Sequence, residues 1–121
     1  MDITLLHENI EITILDGVYV NEGKPTFEAI EYYKNLTKRI NDFRCFAAEN
    51  LLDCYNETWF TEEIGLLNKQ QFMEKLTNPS ICIYDEIGVA YVYFDDGGIF
   101  GGHSIEILVE NGVLLEAEIA G

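Results

Sequence analysis

Ile10-Glu11-Ile12-Thr13-Ile14-Leu15 alternates with a period of two and is rich in β-branched side chains, the pattern of a half-buried strand. Asp16-Gly17 and then Val18-Tyr19-Val20 follow, and the three segments predict a β-hairpin. Residues 3–6 can add a short strand ahead of it, and residues 21–25 form a polar break. From Pro25-Thr26 the period changes. Apolar residues recur at Phe27, Ile30, Tyr33, Leu36, Ile40, Phe43, Ala47, Leu51 and Cys54 in steps of three and four. That spacing is one face of an α-helix held for about eight turns, and it reads as core packing. Glu28 and Glu31 suit the positive end of its dipole. Asn35 marks a candidate kink or a break into two helices.

Residues 55–67 read as a connector. Its Tyr55, Trp59 and Phe60 are expected to cap the core, with a partner-binding patch as the alternative. Asn68 predicts the cap of a short helix with Phe72 and Leu76 inward, ended by Asn78-Pro79. Residues 81–84, 89–94, 104–109 and 113–119 read as strands, with a turn near 85–88 and a glycine-rich loop ahead of His103. Strands, then helices, then strands is segregated α+β. The expected fold is an antiparallel sheet of about six strands, an N-terminal hairpin plus a C-terminal four-stranded meander, packed against one long helix and one short helix. Residues 1–121 are expected to form a single domain. The buried face is expected to include Ile12, Ile14, Ile40, Phe43, Leu51, Val92, Ile105, Ile107, Leu115 and Ile119.

The last hairpin poses a register problem. With Asn111-Gly112 as a two-residue turn in a regular ladder, Ile107 would face Glu116 and the apolar and charged faces would clash. A three-residue loop, Glu110-Asn111-Gly112, pairs Val109 with Val113, Ile107 with Leu115 and Ile105 with Ala117, and this is the expected register. It sets Glu106 across from Glu116 on the outward face, with Glu110 and Glu118 nearby. Opposed like charges cost about 0.2–1 kcal/mol unless a partner, an ion or solvent screening relieves them.

Charge sharpens this picture. Of a formal −15, residues 1–23 carry −5, residues 24–75 carry −2 with all seven bases, and residues 76–121 carry −8 with no base. The expected strands are therefore purely acidic and the helices nearly neutral. Such a field repels phosphate backbones, which disfavours nucleic acid, and attracts a basic protein or a cation. Cys45, Cys54 and Cys82 form no C-x-x-C pair, and reduced, buried thiols in a cytoplasmic protein are expected. No basic leader and no apolar run of membrane-spanning length is visible, so no membrane partner is expected.

Candidate chemistry is sparse. Asp95-Asp96-Gly97-Gly98 offers oxygen ligands, but neither the EF-hand spacing nor its bidentate Glu is present. His103 lies near these carboxylates, yet no G-x-S-x-G or H-E-x-x-H motif accompanies it. Gly97-Gly98 and Gly101-Gly102 match neither phosphate-binding glycine motif, and no cofactor is expected.

Phe72, the Tyr93-Phe94-Asp95-Asp96-Gly97 loop, Gly102-His103-Ser104-Ile105-Glu106-Ile107, Asn111-Gly112 and the Tyr55-Asn56-Glu57-Thr58-Trp59 helix end together resemble small uncharacterised bacterial proteins of the domain-of-unknown-function kind. The resemblance implies an N-terminal hairpin, a long helix and a closing antiparallel sheet. Such proteins are sometimes suggested to be immunity proteins that neutralise a toxin. The leading expectation is an acidic protein-binding module that takes a basic partner by electrostatic steering, through Asp95, Asp96, His103, Glu106, Glu110, Glu116 and Glu118. The alternatives are a metal-assisted hydrolase using Asp95, Asp96 and His103, and a ligand-free structural or oligomerisation domain.

Overall fold

In the computed structural model, which describes residues 1–120, the period-two segments become six paired strands. β1 (Ile3–His7) and β2 (Ile10–Ile14) form an antiparallel hairpin. Glu8 and Asn9 close it with φ of 51° and 66°, the left-handed pair that a two-residue turn requires. The hairpin expected at Asp16-Gly17 therefore lies one segment earlier. Gly17 instead lets the chain pass close to the Asp85 backbone, where an added Cβ would stand 2.6 Å from the Asp85 Cβ. Val20 and Asn21 (β3, Val20–Asn21) pair with β4 (Lys24–Pro25) as a small separate ribbon in the expected polar break.

Three helices follow where one long and one short were expected. α1 spans Phe27–Thr37, with the Thr26 hydroxyl accepting from the Ala29 N–H at its start. α2 spans Ile40–Cys54 and runs into a π-helical turn at Tyr55–Trp59. The break falls at Lys38-Arg39, after Asn35. There the Thr37 hydroxyl donates to the Lys34 carbonyl and the Arg39 N–H closes a shorter turn on Leu36, so the regular ladder is not continued. Phe27, placed in the apolar stripe by its spacing, is 71% exposed because it sits in the first turn, ahead of the packed face. α3 (Lys69–Lys75) is capped by Asn68 as expected, and Gln71 completes a capping box: the Asn68 side chain accepts from the Gln71 N–H and the Gln71 side chain accepts from the Asn68 N–H.

β5 (Thr77–Ile83), β6 (Val89–Asp95), β7 (Ser104–Glu110) and β8 (Val113–Ala120) form the expected antiparallel meander. The strand order is β1-β2-β5-β6-β7-β8, and β2 pairs with β5 in parallel, so the sheet is mixed. The physical cause is the crossover. Residues 15–76 carry the helices over one face and return the chain in the same direction.

Only that face is covered. Rows of apolar side chains run straight across the strands beneath the helices: Leu5, Ile12, Ile81, Val92, Ile107 and Ala117 in one, Ile3, Ile14, Ile83, Ala90, Val109 and Leu114 in the next. α1 lies over β2 and β5, and α2 over β7 and β8. Phe43, Tyr55, Phe72 and Phe100 are fully buried between the layers. Each fully buried Val, Leu, Ile or Phe contributes about 1.5–3 kcal/mol relative to exposure. The cysteines are free and half-buried, less enclosed than their apolar context suggested.

The last hairpin solves its register problem differently from the expected three-residue loop. Asn111 and Gly112, with φ of 50° and 80°, form a two-residue turn with Glu110 opposite Val113. Leu115 is then inserted as a β-bulge between Leu114, opposite Val109, and Glu116, opposite Leu108. One extra residue flips every following side chain, so Ala117 and Ile119 return to the core face. Leu115 itself is 47% exposed and is not part of the core.

Candidate functional site

The uncovered face of the sheet is built from the strand positions that alternate with the core rows. Two rows cross all six strands. One runs Leu6, Glu11, Ser80, Tyr93, Glu106, Glu118, and the other Thr4, Thr13, Cys82, Tyr91, Leu108, Glu116. Tyrosines occupy the middle. Tyr91 and Tyr93 stack with ring centroids 6.1 Å apart, and Tyr84 packs on Tyr91 at 5.0 Å. Carboxylates occupy the β7–β8 side, and none of the seven bases lies in the six-stranded sheet.

Electrostatics follow from this placement. Burial, then the charges of Glu106, Glu116 and Glu118 together with Tyr84, hold the Tyr91 phenol above its ordinary value. Tyr93 is pushed up further, by burial first and then by Tyr84 and Glu106. Both phenols are thus neutral near neutral pH, able to donate a hydrogen bond and to present a π face to a cation. Cys82, across from Tyr91, is also held up, by burial and the nearby Asp2.

The residues singled out from the sequence divide between two places. Glu106, Glu116 and Glu118 stand together on the open face, although Glu106 opposes Glu118 and not Glu116. Glu110 ends β7 on the same face, and Asp95 lies at the opposite rim, accepting from the Asn78 amide at 2.7 Å. Asp96 is 3% exposed and turned inward. Its carboxylate accepts from the N–H groups of Gly98, Phe100 and Gly102 at 2.7, 3.0 and 3.0 Å, bracing the glycine-rich loop so that Phe100 enters the core. His103 is held 2.6 Å from the Phe100 carbonyl through Nδ1 and packs on Trp59. Asp96 and His103 thus serve the loop's shape. Among the described residues no group of three or more His, Cys, Asp or Glu is placed to hold a metal ion.

Tyr84, Tyr91, Tyr93 and Glu11 were not singled out from the sequence. Ala90-Tyr91-Val92-Tyr93-Phe94 is a continuous apolar run, and its alternation becomes visible only when tyrosines are separated from aliphatic residues.

One layer of helices on one face of a mixed, mostly antiparallel sheet, with the other face acidic and aromatic, defines an α+β domain of two layers. The chain belongs to the family described as uncharacterized protein conserved in bacteria (DUF2262), whose model matches residues 3–119. No curated protein and no solved structure matches it. No helix among the described residues is long and apolar enough to cross a membrane.

Proposed function

We propose that the protein is a protein-binding module whose open sheet face takes a basic partner, in the manner of an immunity protein that occludes a toxin. The observation that carries this reading is the stacked tyrosine centre bordered by Glu106, Glu116 and Glu118, on a face built from strands without Lys or Arg. Tyrosines supply rigid contact area that loses little side-chain entropy on binding. Neutral phenols accept guanidinium or ammonium groups through their π faces, and the carboxylates steer and register those cations. A second copy of the same face is disfavoured, because it would set carboxylates against carboxylates.

The test is affinity capture from the native host with the wild-type chain, the Tyr91→Ser variant and the Glu106→Gln/Glu118→Gln double variant, followed by cross-link mapping. The expected result is a basic protein cross-linked to β6–β8, released by salt and lost with either variant. A partner that maps to α1–α3, or whose retention ignores both variants, would sink the reading.

A further inference from the structure

A cleft lies at the ends of the strands and shares no residue with the two rows of the open face. The β5–β6 turn at Gly88 and the β7–β8 turn at Asn111-Gly112 meet the break between α1 and α2, and Tyr19 and Tyr32 close the space between them. The cleft has a volume of about 620 Å³. That is within the usual range for a small-molecule site.

Hydrogen-bond accounting shows what this cleft lacks. The Gly88 carbonyl already accepts from the Tyr32 hydroxyl at 2.6 Å and from the Asn111 N–H at 2.8 Å. The Gly112 carbonyl accepts from Arg39 Nη1 at 2.7 Å. The two turn carbonyls are therefore in use. The donors are not. The Tyr19 hydroxyl, on a residue only 8% exposed, accepts from the Gly88 N–H at 2.8 Å, which leaves its own proton free to donate. Lys38 is outside every ion pair formed among the described residues, and Arg39 has only a loose contact with Asp42, 3.9 Å from Nε to the carboxylate. The Asn111 side chain lies where a Cβ on Gly88 would sit, so glycine at 88 is what lets the amide reach the wall. α1 ends at Thr37 and α2 begins at Ile40 with no side-chain cap, so the two helix-end dipoles oppose each other and the positive charge of the cleft comes from the two cations. Negative groups in the vicinity are Asp42 and Glu110, whose charge reaches Tyr32.

A donor-rich wall with two adjacent cations is unusual in a chain of net charge −15. We infer that this cleft is a binding site for a small organic molecule carrying an oxyanion, a carboxylate or a phosphate. The headgroup is held by Lys38, Arg39 and the Tyr19 hydroxyl, and the body rests on the Tyr19 and Tyr32 rings, whose centroids are 6.0 Å apart. Arg39 bridges to Gly112 through Nη1 and faces Asp42 through Nε, which leaves Nη2 for the ligand.

The experiment is a titration of the isotope-labelled full chain with phenyl phosphate and, separately, with benzoate, followed by amide chemical shifts at matched ionic strength. The expected result is saturable shifts at Gly88, Asn111, Gly112 and residues 35–39, with a Kd of about 1 mM or tighter for at least one probe. The tighter of the two identifies the headgroup. Lys38→Gln, at an exposed position whose side chain forms no ion pair among the described residues, should weaken that probe about tenfold. Tyr19→Phe, which keeps the ring, should weaken it by a similar factor and, because the Gly88 N–H loses its acceptor, should also lower the melting temperature by a few degrees. No saturation by either probe, or shifts scattered over Lys24, Lys69 and Lys75 and unchanged in Lys38→Gln, would overturn the assignment.

Discussion

Asp96 shows how one side chain decides the form of a whole loop. Its three backbone N–H partners fold Gly97–Gly102 around the carboxylate and drive Phe100 against Tyr55, Trp59 and Phe72. The glycines in that loop are not equivalent. Gly97 has φ of +64°, and a Cβ there would collide with the Lys75 backbone carbonyl. Gly98 has φ of +84° and faces open space. Gly97→Ala should therefore cost about 2–4 kcal/mol, because strain and a backbone clash add. Gly98→Ala should cost only about 1 kcal/mol, from strain alone. Urea denaturation of the two variants measures the difference, and equal losses would contradict it.

At the scale of elements, the β8 bulge keeps two incompatible demands together. The Asn111-Gly112 turn selects a two-residue hairpin, and the apolar pattern of residues 105–119 asks for a register one residue away. Inserting Leu115 satisfies both. Removing it leaves Leu114 opposite Val109 and Glu116 opposite Leu108 in a regular ladder, so the Leu115 deletion should stay folded and change stability by about 1 kcal/mol or less. Deleting Ala117 instead sends Glu118 to the core face and Ile119 to solvent, and should cost more than about 3 kcal/mol. Circular dichroism melts of both deletions check this pair. The helix break belongs to the same scale. It turns an eight-turn expectation into two helices and brings Lys38 and Arg39 to the strand-end cleft.

For the whole molecule the decisive property is the separation of charge between the layers. Every base lies outside the six-stranded sheet, and the sheet's open face collects carboxylates around tyrosines. Self-repulsion of this kind lowers stability at low ionic strength. Moderate NaCl should raise the melting temperature. Glu118→Gln, which removes the charge opposed to Glu106, should stabilise the free chain by about 0.2–1 kcal/mol while weakening capture of a basic partner. Differential scanning calorimetry in low and moderate salt reads both effects. A Glu118→Gln variant that loses stability would show that the pair is not repulsive.

Much of the architecture was legible in local pattern. Local pattern placed β6–β8 and the second half of β5, the Thr26 start of the helical layer, the Asn68 cap and most of the core, because each depends on residues close together along the chain; Asn78-Pro79, read as the end of the short helix, lies inside β5. The acidic character of residues 104–119 was legible for the same reason. Tertiary structure alone decided the parallel β2–β5 pairing, the bulge, the inward turn of Asp96 and which face of the sheet leaves the β6 tyrosines uncovered. It also decided the cleft where Tyr19, Lys38, Gly88 and Asn111 meet. The bulge and the Asp96 turn answer to which face of the sheet is covered, and the parallel pairing and the cleft join segments whose encounter depends on how the helical crossover lies on the sheet. No local periodicity encodes that placement, because its free energy comes from burying surfaces that do not exist until the layers pack.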